Sequence, residues 1–208
     1  MIKIMAFSDT HRQRPIIEDN GDIVIFAGDD DIYTFEHLID FVQWFKHLNF
    51  EYKIMIGGNH DFYLQKEPYT KEYLKENNIL YLEDSFVEIK GLKIYGSPYT
   101  PTFMNWAFME DESNLYKRFS KIPKDIDILI THGPAYGILD QIKPNSTGQK
   151  ANHLGSASLK EIVDNITNLK YHIFGHIHGG YGTKGSNINV SLLNEKYIMT
   201  NNPIVIYI

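Results

Sequence analysis

The 208-residue chain contains no cysteine, which excludes disulfide stapling and every thiolate metal site. It has no apolar run approaching the roughly 18 residues a membrane helix needs, so no membrane partner is expected. Glycine–serine linkers, low-complexity tracts and internal repeats are also missing, which fits one domain over residues 1–208. A basic surface is lacking too: 20 Lys and Arg face 26 Asp and Glu, for a net charge of −6. Tight nucleic-acid binders gather cations against phosphates. A stable nucleic-acid complex is therefore not expected, although a small nucleotide is allowed. Residues 1–7 are apolar except for Lys3, but too short for a secretion signal, and run directly into Ser8-Asp9-Thr10-His11. They read as the first core strand of a cytoplasmic protein.

What is present is a repeated pattern of an apolar run followed by a polar, metal-capable motif. Ile2–Phe7 precedes Asp9-Thr10-His11, Ile23–Ala27 precedes Gly28-Asp29, and Tyr52–Ile56 precedes Gly58-Asn59-His60-Asp61. Ile126–Ile130 precedes Thr131-His132-Gly133, and Tyr171–Phe174 precedes Gly175-His176-Ile177-His178. Open α/β sheets place ligands at the carboxyl ends of their strands, so five such ends can face one crevice. Five of the nine histidines lie in these motifs, which argues against chance. In an extended segment residues i and i+2 share a side. Asp9 with His11, and His176 with His178, can each meet one ion. Gly28 permits a sharp turn beside Asp29.

The remaining pattern alternates strands and helices. Tyr33–His47 carries Phe35, Leu38, Ile39, Val42 and Phe45 at helical spacing. Pro68–Glu76, Ser113–Phe119 (capped near Glu112 or Ser113) and Ser156–Ile166 (capped by Ser156) read as further helices. Ile79–Leu82, Phe86–Ile89 and Leu92–Tyr95 read as strands, with Lys90-Gly91 as a hairpin turn. Ile188–Leu193 and Ile204–Ile208 are late strands. Residues 97–110 form an aromatic-rich loop in which Tyr99, Phe103, Trp106 and Phe108 either stack on a base or fill a core. Residues 133–155 form a long loop, and loops of that length are often functional. His153 within it is a reserve site residue. His37, His47 and His172 read as structural or surface residues. Arg12 is either a phosphate contact or an exposed cation. Asp30 and Asp31 read as a solvated helix start.

The order Asp-x-His, Gly-Asp, Gly-Asn-His-Asp, His and Gly-His-x-His resembles the calcineurin-like metallophosphoesterases over nearly the whole chain. Asn105-Trp106-Ala107-Phe108, Thr131-His132-Gly133-Pro134, Gly137-Ile138-Leu139-Asp140 and His178-Gly179-Gly180-Tyr181-Gly182 draw the resemblance towards the small metallophosphoesterase-domain subfamily of animals. That subfamily has relatives among bacterial cyclic-nucleotide phosphodiesterases. The resemblance implies an α/β fold, a four-layer α/β/β/α sandwich of two mixed sheets. It also implies two divalent ions. One is held by Asp9, His11, Asp29 and His178, the other by Asp29, Asn59, His132 and His176, with Asp29 shared. Mn²⁺ is favoured, with Fe, Zn, Ni or Co as alternatives. Many members carry, three residues after the shared Asp, a second Asp that orients the catalytic His. Here that position is Ile32, and Asp61, Asp30 and Asp31 are the candidates to substitute, if any residue does.

Paired cations lower the pKa of bound water and offset charge on a transferring phosphoryl group. His60, beside Asn59 but outside both ligand sets, is assigned as general acid, with Asp61 as its catalytic neighbour. The expected substrate is a small phosphodiester or nucleotide, cyclic nucleotides included, and the expected assembly a monomer or homodimer. A phosphomonoesterase acting on nucleotides or phosphoproteins, and a non-catalytic scaffold, are the competing readings. The scaffold is disfavoured because no expected ligand is missing.

Overall fold

Strands of these runs are buried on both faces, and that decides the architecture. The computed structural model describes residues 1–142 and 152–208. A five-stranded sheet runs, in spatial order, Ile204–Tyr207, Lys3–Phe7, Gly21–Phe26, Phe50–Met55 and Ile79–Tyr81. All its pairings are parallel except that of the first two. A six-stranded sheet runs Gly182–Lys184, Asn187–Asn189, Tyr171–Phe174, Ile128–Thr131, Leu92–Ser97 and Ser85–Ile89, parallel in its middle and antiparallel at both edges.

Side-chain alternation splits each strand between two cores. Ile4 and Ala6 join an aliphatic cluster that also holds Ile128, Ile130 and Ile173 of the other sheet. Met5 and Phe7 point the opposite way, into a cluster with Leu38, Phe41 and Phe45 of helix α1 (Phe35–Phe45). On the second sheet Tyr95 and Leu129 belong to the same helix-side cluster as Leu115 and Phe119 of the helix Glu112–Phe119 and Leu159 of the helix Ala157–Val163. The two mixed sheets thus pack face to face with helices outside, the expected four layers. Strands with two buried faces read as continuous apolar runs, which is why they were visible in the sequence.

Local chemistry sets the helix ends. Thr34 caps α1 by accepting from His37 N, two residues later than the periodicity suggests. Between α1 and the helix Glu112–Phe119 lie the short helices α2 (Phe62–Lys66), which the apolar spacing does not show, and α3 (Thr70–Glu76). Helix α4 (Glu112–Phe119) is capped by Asp111, which accepts from Asn114 N at 3.0 Å, not by Glu112 or Ser113. Glu112 instead receives Ser156 Oγ, Ala157 N and Ser158 N at 2.9–3.1 Å, so it caps the neighbouring α5 (Ala157–Val163) together with Ser156. The Lys90-Gly91 hairpin forms as expected, both residues having positive φ (51° and 80°), the mark of a type I′ turn. The two late strands fall in different sheets, so the chain crosses between sheets through residues 190–203. The central part of the long loop, 143–151, lies outside the described residues. Among the described residues, no helix is long and apolar enough to cross a membrane.

His172 is a core histidine, as expected. Its Nε2 meets Thr131 Oγ1 at 2.8 Å and its Nδ1 meets Asn187 Oδ1 at 3.2 Å. Burial pushes its pKa down to about 4, only partly opposed by the Asn187 bond. A histidine whose folded pKa is depressed stabilises the fold fully above the unfolded value near 6.5. That contribution is lost as pH falls towards 4. His172→Asn is therefore expected to flatten the loss of stability between pH 6.5 and 4 by on the order of 3 kcal/mol, read by urea unfolding at both pH values. An unchanged pH slope would contradict this account.

Candidate metal centre

The five motifs converge where the two sheets meet. Three hydrogen bonds join strand ends of different sheets or of neighbouring strands. Ser8 N donates to Val190 O, Asp9 N to Gly28 O, and Gly175 N to His132 O. Four of the expected ligands, Asp9, His11, Asp29 and His176, have left-handed φ values of 53°, 41°, 66° and 66°. Non-glycine residues avoid this region, and such strain clusters at functional sites. Here it turns each side chain off the strand axis into the crevice. Glycines allow the backbone to pass close by. A Cβ on Gly175 would sit 2.2 Å from Asp9 Oδ2, and one on Gly58 would sit 2.2 Å from Asp29 Oδ1.

Three groups of metal-capable side chains form there, each with its ligand atoms within 4.8 Å of one another. Two are built from the expected ligands, Asp9, His11 and His178, and Asp29, His132 and His176, and the third joins His11 to Asp31 and His60. Asn59 joins the second, its Oδ1 2.9 Å from His132 Nε2, and Asp29 Oδ2 lies 3.2 Å from the same nitrogen. His178 Nε2 is 3.4 Å from Asp9 Oδ1. All seven expected ligands are brought together.

The donor set fits divalent cations. His11 Nε2 is buried and has no hydrogen-bond partner among the described residues. In three of the four imidazoles the opposite nitrogen is held from behind. His11 Nδ1 meets Asp31 Oδ1 at 3.0 Å, His132 Nδ1 meets Ala27 O at 2.9 Å, and His178 Nδ1 meets Asn194 O at 3.1 Å. Such outer bonds fix the tautomer and turn Nε2 towards an ion. The electrostatics agree. Burial alone would raise both carboxyls, yet His178 and its neighbours hold Asp9 far below the carboxylate range, and His132 holds Asp29 at about 2. Burial would lower His132, but the charge of Asp29 lifts it to about 9. Burial and the nearby His132 take His176 down to about 4. Two ionised, buried carboxylates thus gather positive charge around them.

His60 lies outside the two groups built from the expected ligands and belongs to the third. Its Nδ1 is 3.0 Å from Asp31 Oδ1 and 3.0 Å from Tyr33 Oη, and its ring is 4.9 Å from that of His11. The carboxylate at its side is Asp31, not Asp61. Asp61 is fully buried, and none of its hydrogen bonds goes to His60. It accepts from the backbone N–H groups of Gly58, Asp29, Asp30 and Ile32 at 2.8–3.1 Å. Burial and the adjacent Asp29 charge raise its carboxyl to about 7. Asp61 therefore clamps the two ligand loops together. The reading of Asp30 and Asp31 as a solvated helix start is overturned as well. Asp30 is completely buried, paired with Arg14 and bonded by Thr10, while Asp31 contacts His11 and His60.

A cleft of about 490 Å³ opens over His176 and His178, walled by Phe103, Trp106, Glu195 and Tyr197 among others. Tyr99 and Phe108 are buried core residues, whereas Phe103 is exposed. Tyr197 meets His11 and His178 edge-on at 4.7 and 5.1 Å. His153 is not in either ligand group; its Nδ1 is 2.6 Å from the buried Asp140. His37 and His47 bond backbone carbonyls of Asp31 and Gln43, and Arg12 is exposed. Sequence reading missed Tyr33, Tyr197 and Glu195, which belong to no motif and reach the crevice only through the fold.

Strand ends that gather carboxylates, imidazoles and an amide oxygen around two adjacent positions define a metal-dependent hydrolytic centre. The model of the calcineurin-like phosphoesterase family matches residues 2–180, and the chain belongs to that family. Among curated relatives, the human metallophosphoesterase domain-containing protein 1 is 35% identical over 98% of this chain and 70% of its own length, as is its mouse counterpart. A UPF0046 protein of Caenorhabditis elegans (T07D4.2) is 32% identical over 89% of this chain and 54% of its own.

Proposed function

We propose that this phosphoesterase hydrolyses small phosphodiesters, cyclic nucleotides among them, with two divalent ions, Mn²⁺ favoured over Fe, Zn, Ni or Co. Asp9, His11, Asp29 and His178 would hold one ion, and Asp29, Asn59, His132 and His176 the other. The observation that carries this reading is the pair of ligand groups built around buried, ionised Asp9 and Asp29, with His11 Nε2 left without a partner. When bound, the ions supply Lewis acidity at the phosphoryl oxygens and a nucleophile at neutral pH.

The chain's own residues do the rest. Asp31 accepts His60 Nδ1–H and so keeps Nε2 free to hold the proton that a departing alkoxide needs. Tyr33 Oη packs against the same pair and limits rotation of the imidazole. Trp106, 4.8 Å from His60, screens it from water. Among the described residues that line the cleft there is no Lys or Arg. That supports a phosphodiester, with one charge, over a phosphomonoester, with two.

Two assays test the reading. The parent protein should prefer bis-p-nitrophenyl phosphate to p-nitrophenyl phosphate by at least about tenfold in kcat/KM, and the reverse order would favour a phosphomonoesterase. His60→Ala should keep its metal but lose roughly 10²–10⁴-fold in kcat on ribose-linked esters, the scale of a positioned general acid. Its loss on p-nitrophenyl esters, whose leaving group needs no proton, should be far smaller. Equal losses on both would remove His60 from that role.

A further inference from the structure

The cleft over the metal centre has two unlike sides. One bears His176 and His178. The other is an aromatic wall in which Phe103 meets Trp106 edge-on at 5.6 Å, and Trp106 leans on His60. Phe103 is 57% exposed, so it contributes little to the core and presents an apolar face at the mouth of a polar site. The loop carrying both rings is pinned from behind. Arg118 grips Glu110 at 2.6 and 2.8 Å and Asp84 at 2.6 Å, and stacks on Tyr99 at 3.5 Å. Glu195 forms the rim. Its Oε1 would be 2.7 Å from a Cβ on Gly179, so the carboxylate lies against the turn that follows His178. An aromatic wall, a metal centre and, among the described lining residues, a single carboxylate place three different demands on one ligand. An ester whose phosphate sits at the ions must present a flat ring to the wall and a donor to the rim.

We propose that Phe103, Trp106 and Glu195 form a base-recognition subsite that selects phosphodiesters bearing a nucleobase with an exocyclic amino group. The proposal rests on the phosphodiesterase reading above. Every base has a π-face, so the wall strengthens binding of all of them, by roughly 5- to 100-fold per stacked base. The carboxylate discriminates. It accepts from the amino group of adenine, cytosine or guanine, and it faces a carbonyl lone pair when uracil takes the same position. It also repels the second charge of a phosphomonoester.

Steady-state kinetics of the Mn²⁺-loaded protein on 2′,3′-cyclic AMP, CMP and UMP, with glycerol 1,2-cyclic phosphate as a base-free diester, test this. The parent should favour the adenosine and cytidine esters over the uridine ester by about tenfold in kcat/KM, the scale of one charge-assisted hydrogen bond. Phe103→Ala should raise KM for all three nucleotides by about fivefold or more, the lower end of the stacking range, and leave the glycerol ester nearly unchanged. Glu195→Gln, whose amide both donates and accepts, should bring the uridine ester close to the adenosine ester without a change in kcat on the glycerol ester. Equal effects of either variant on all four esters, or no amino-group preference in the parent, would overturn the subsite while leaving the diesterase intact. A parent that hydrolyses none of the four would reject the phosphodiesterase reading itself, and the subsite with it.

Discussion

Asp29→Ala is expected to leave less than one divalent ion per chain and to lower phosphodiester hydrolysis by at least about a thousand-fold, since even outer-shell partners of a metal cost about 10–100-fold when lost. Asp29 is 2% exposed and its two oxygens face different tasks. Oδ2 lies 3.2 Å from His132 Nε2 within one ligand group, and Oδ1 accepts from His60 N at 2.8 Å. The first sets negative charge inside that ligand group, and the second fixes the loop that carries Asn59 and His60. Alanine removes both and leaves the half-buried His60 N–H without its partner, which costs about 1 kcal/mol by itself. Asp29→Asn separates the effects. Its amide oxygen can keep the bond to His60 N, so the melting temperature should stay near that of the parent while metal content still collapses. If the asparagine variant retains two ions, the charge of Asp29 is not what assembles the site.

Gly58→Ala should be nearly as damaging, through sterics. The added Cβ would lie 2.2 Å from Asp29 Oδ1, 2.6 Å from Asp29 N and 2.7 Å from His132 Cε1. The backbone cannot give way easily, because Gly58 N and Asp29 N both donate to Asp61 Oδ2, at 2.8 and 2.9 Å. Overpacking of this kind typically costs about 1–3 kcal/mol, or several degrees in melting temperature for a chain of this size. It displaces two ligands at once, so activity should fall by more than a hundred-fold, in line with ligand-orienting groups elsewhere. Gly185→Ala is the control. Its φ is 62° but nothing lies within 4 Å, so only left-handed strain of about 1 kcal/mol is expected, with activity unchanged. Comparable activity in both variants would mean that the close approach at Gly58 is not needed.

Much of the ligand set was legible in the sequence because each ligand follows a strand buried on both faces. The apolar run and the polar break after it are two parts of one local signal. Glycines 28, 58 and 175 marked the same places: Gly58 and Gly175 fit against the carboxylates of Asp29 and Asp9, and Gly28 against the Gly57 backbone and the His132 ring. What was not legible depends on long-range geometry. Asp31 sits two residues after Asp29, but a φ of 59° turns it back to His11 and His60, and no period shows that. Asp30 looked solvated because its partner, Arg14, lies sixteen residues away across a loop. Asp61 looked catalytic because it follows His60, yet four backbone N–H groups claim its carboxylate. Glu112 was placed at its own helix cap and instead caps the next helix. In each case a charged side chain was assigned to its neighbours in sequence, and the fold gave it partners from elsewhere.

The central claim is that two cations, gathered by ligand sets sharing Asp29, are required for hydrolysis. Elemental analysis of protein purified without chelator, run in parallel with bis-p-nitrophenyl phosphate hydrolysis, tests it most directly. The account predicts close to two divalent ions per chain, loss of activity as chelator strips them, and recovery when Mn²⁺ is returned. Full activity with one ion or none per chain, or hydrolysis indifferent to chelator, would contradict it.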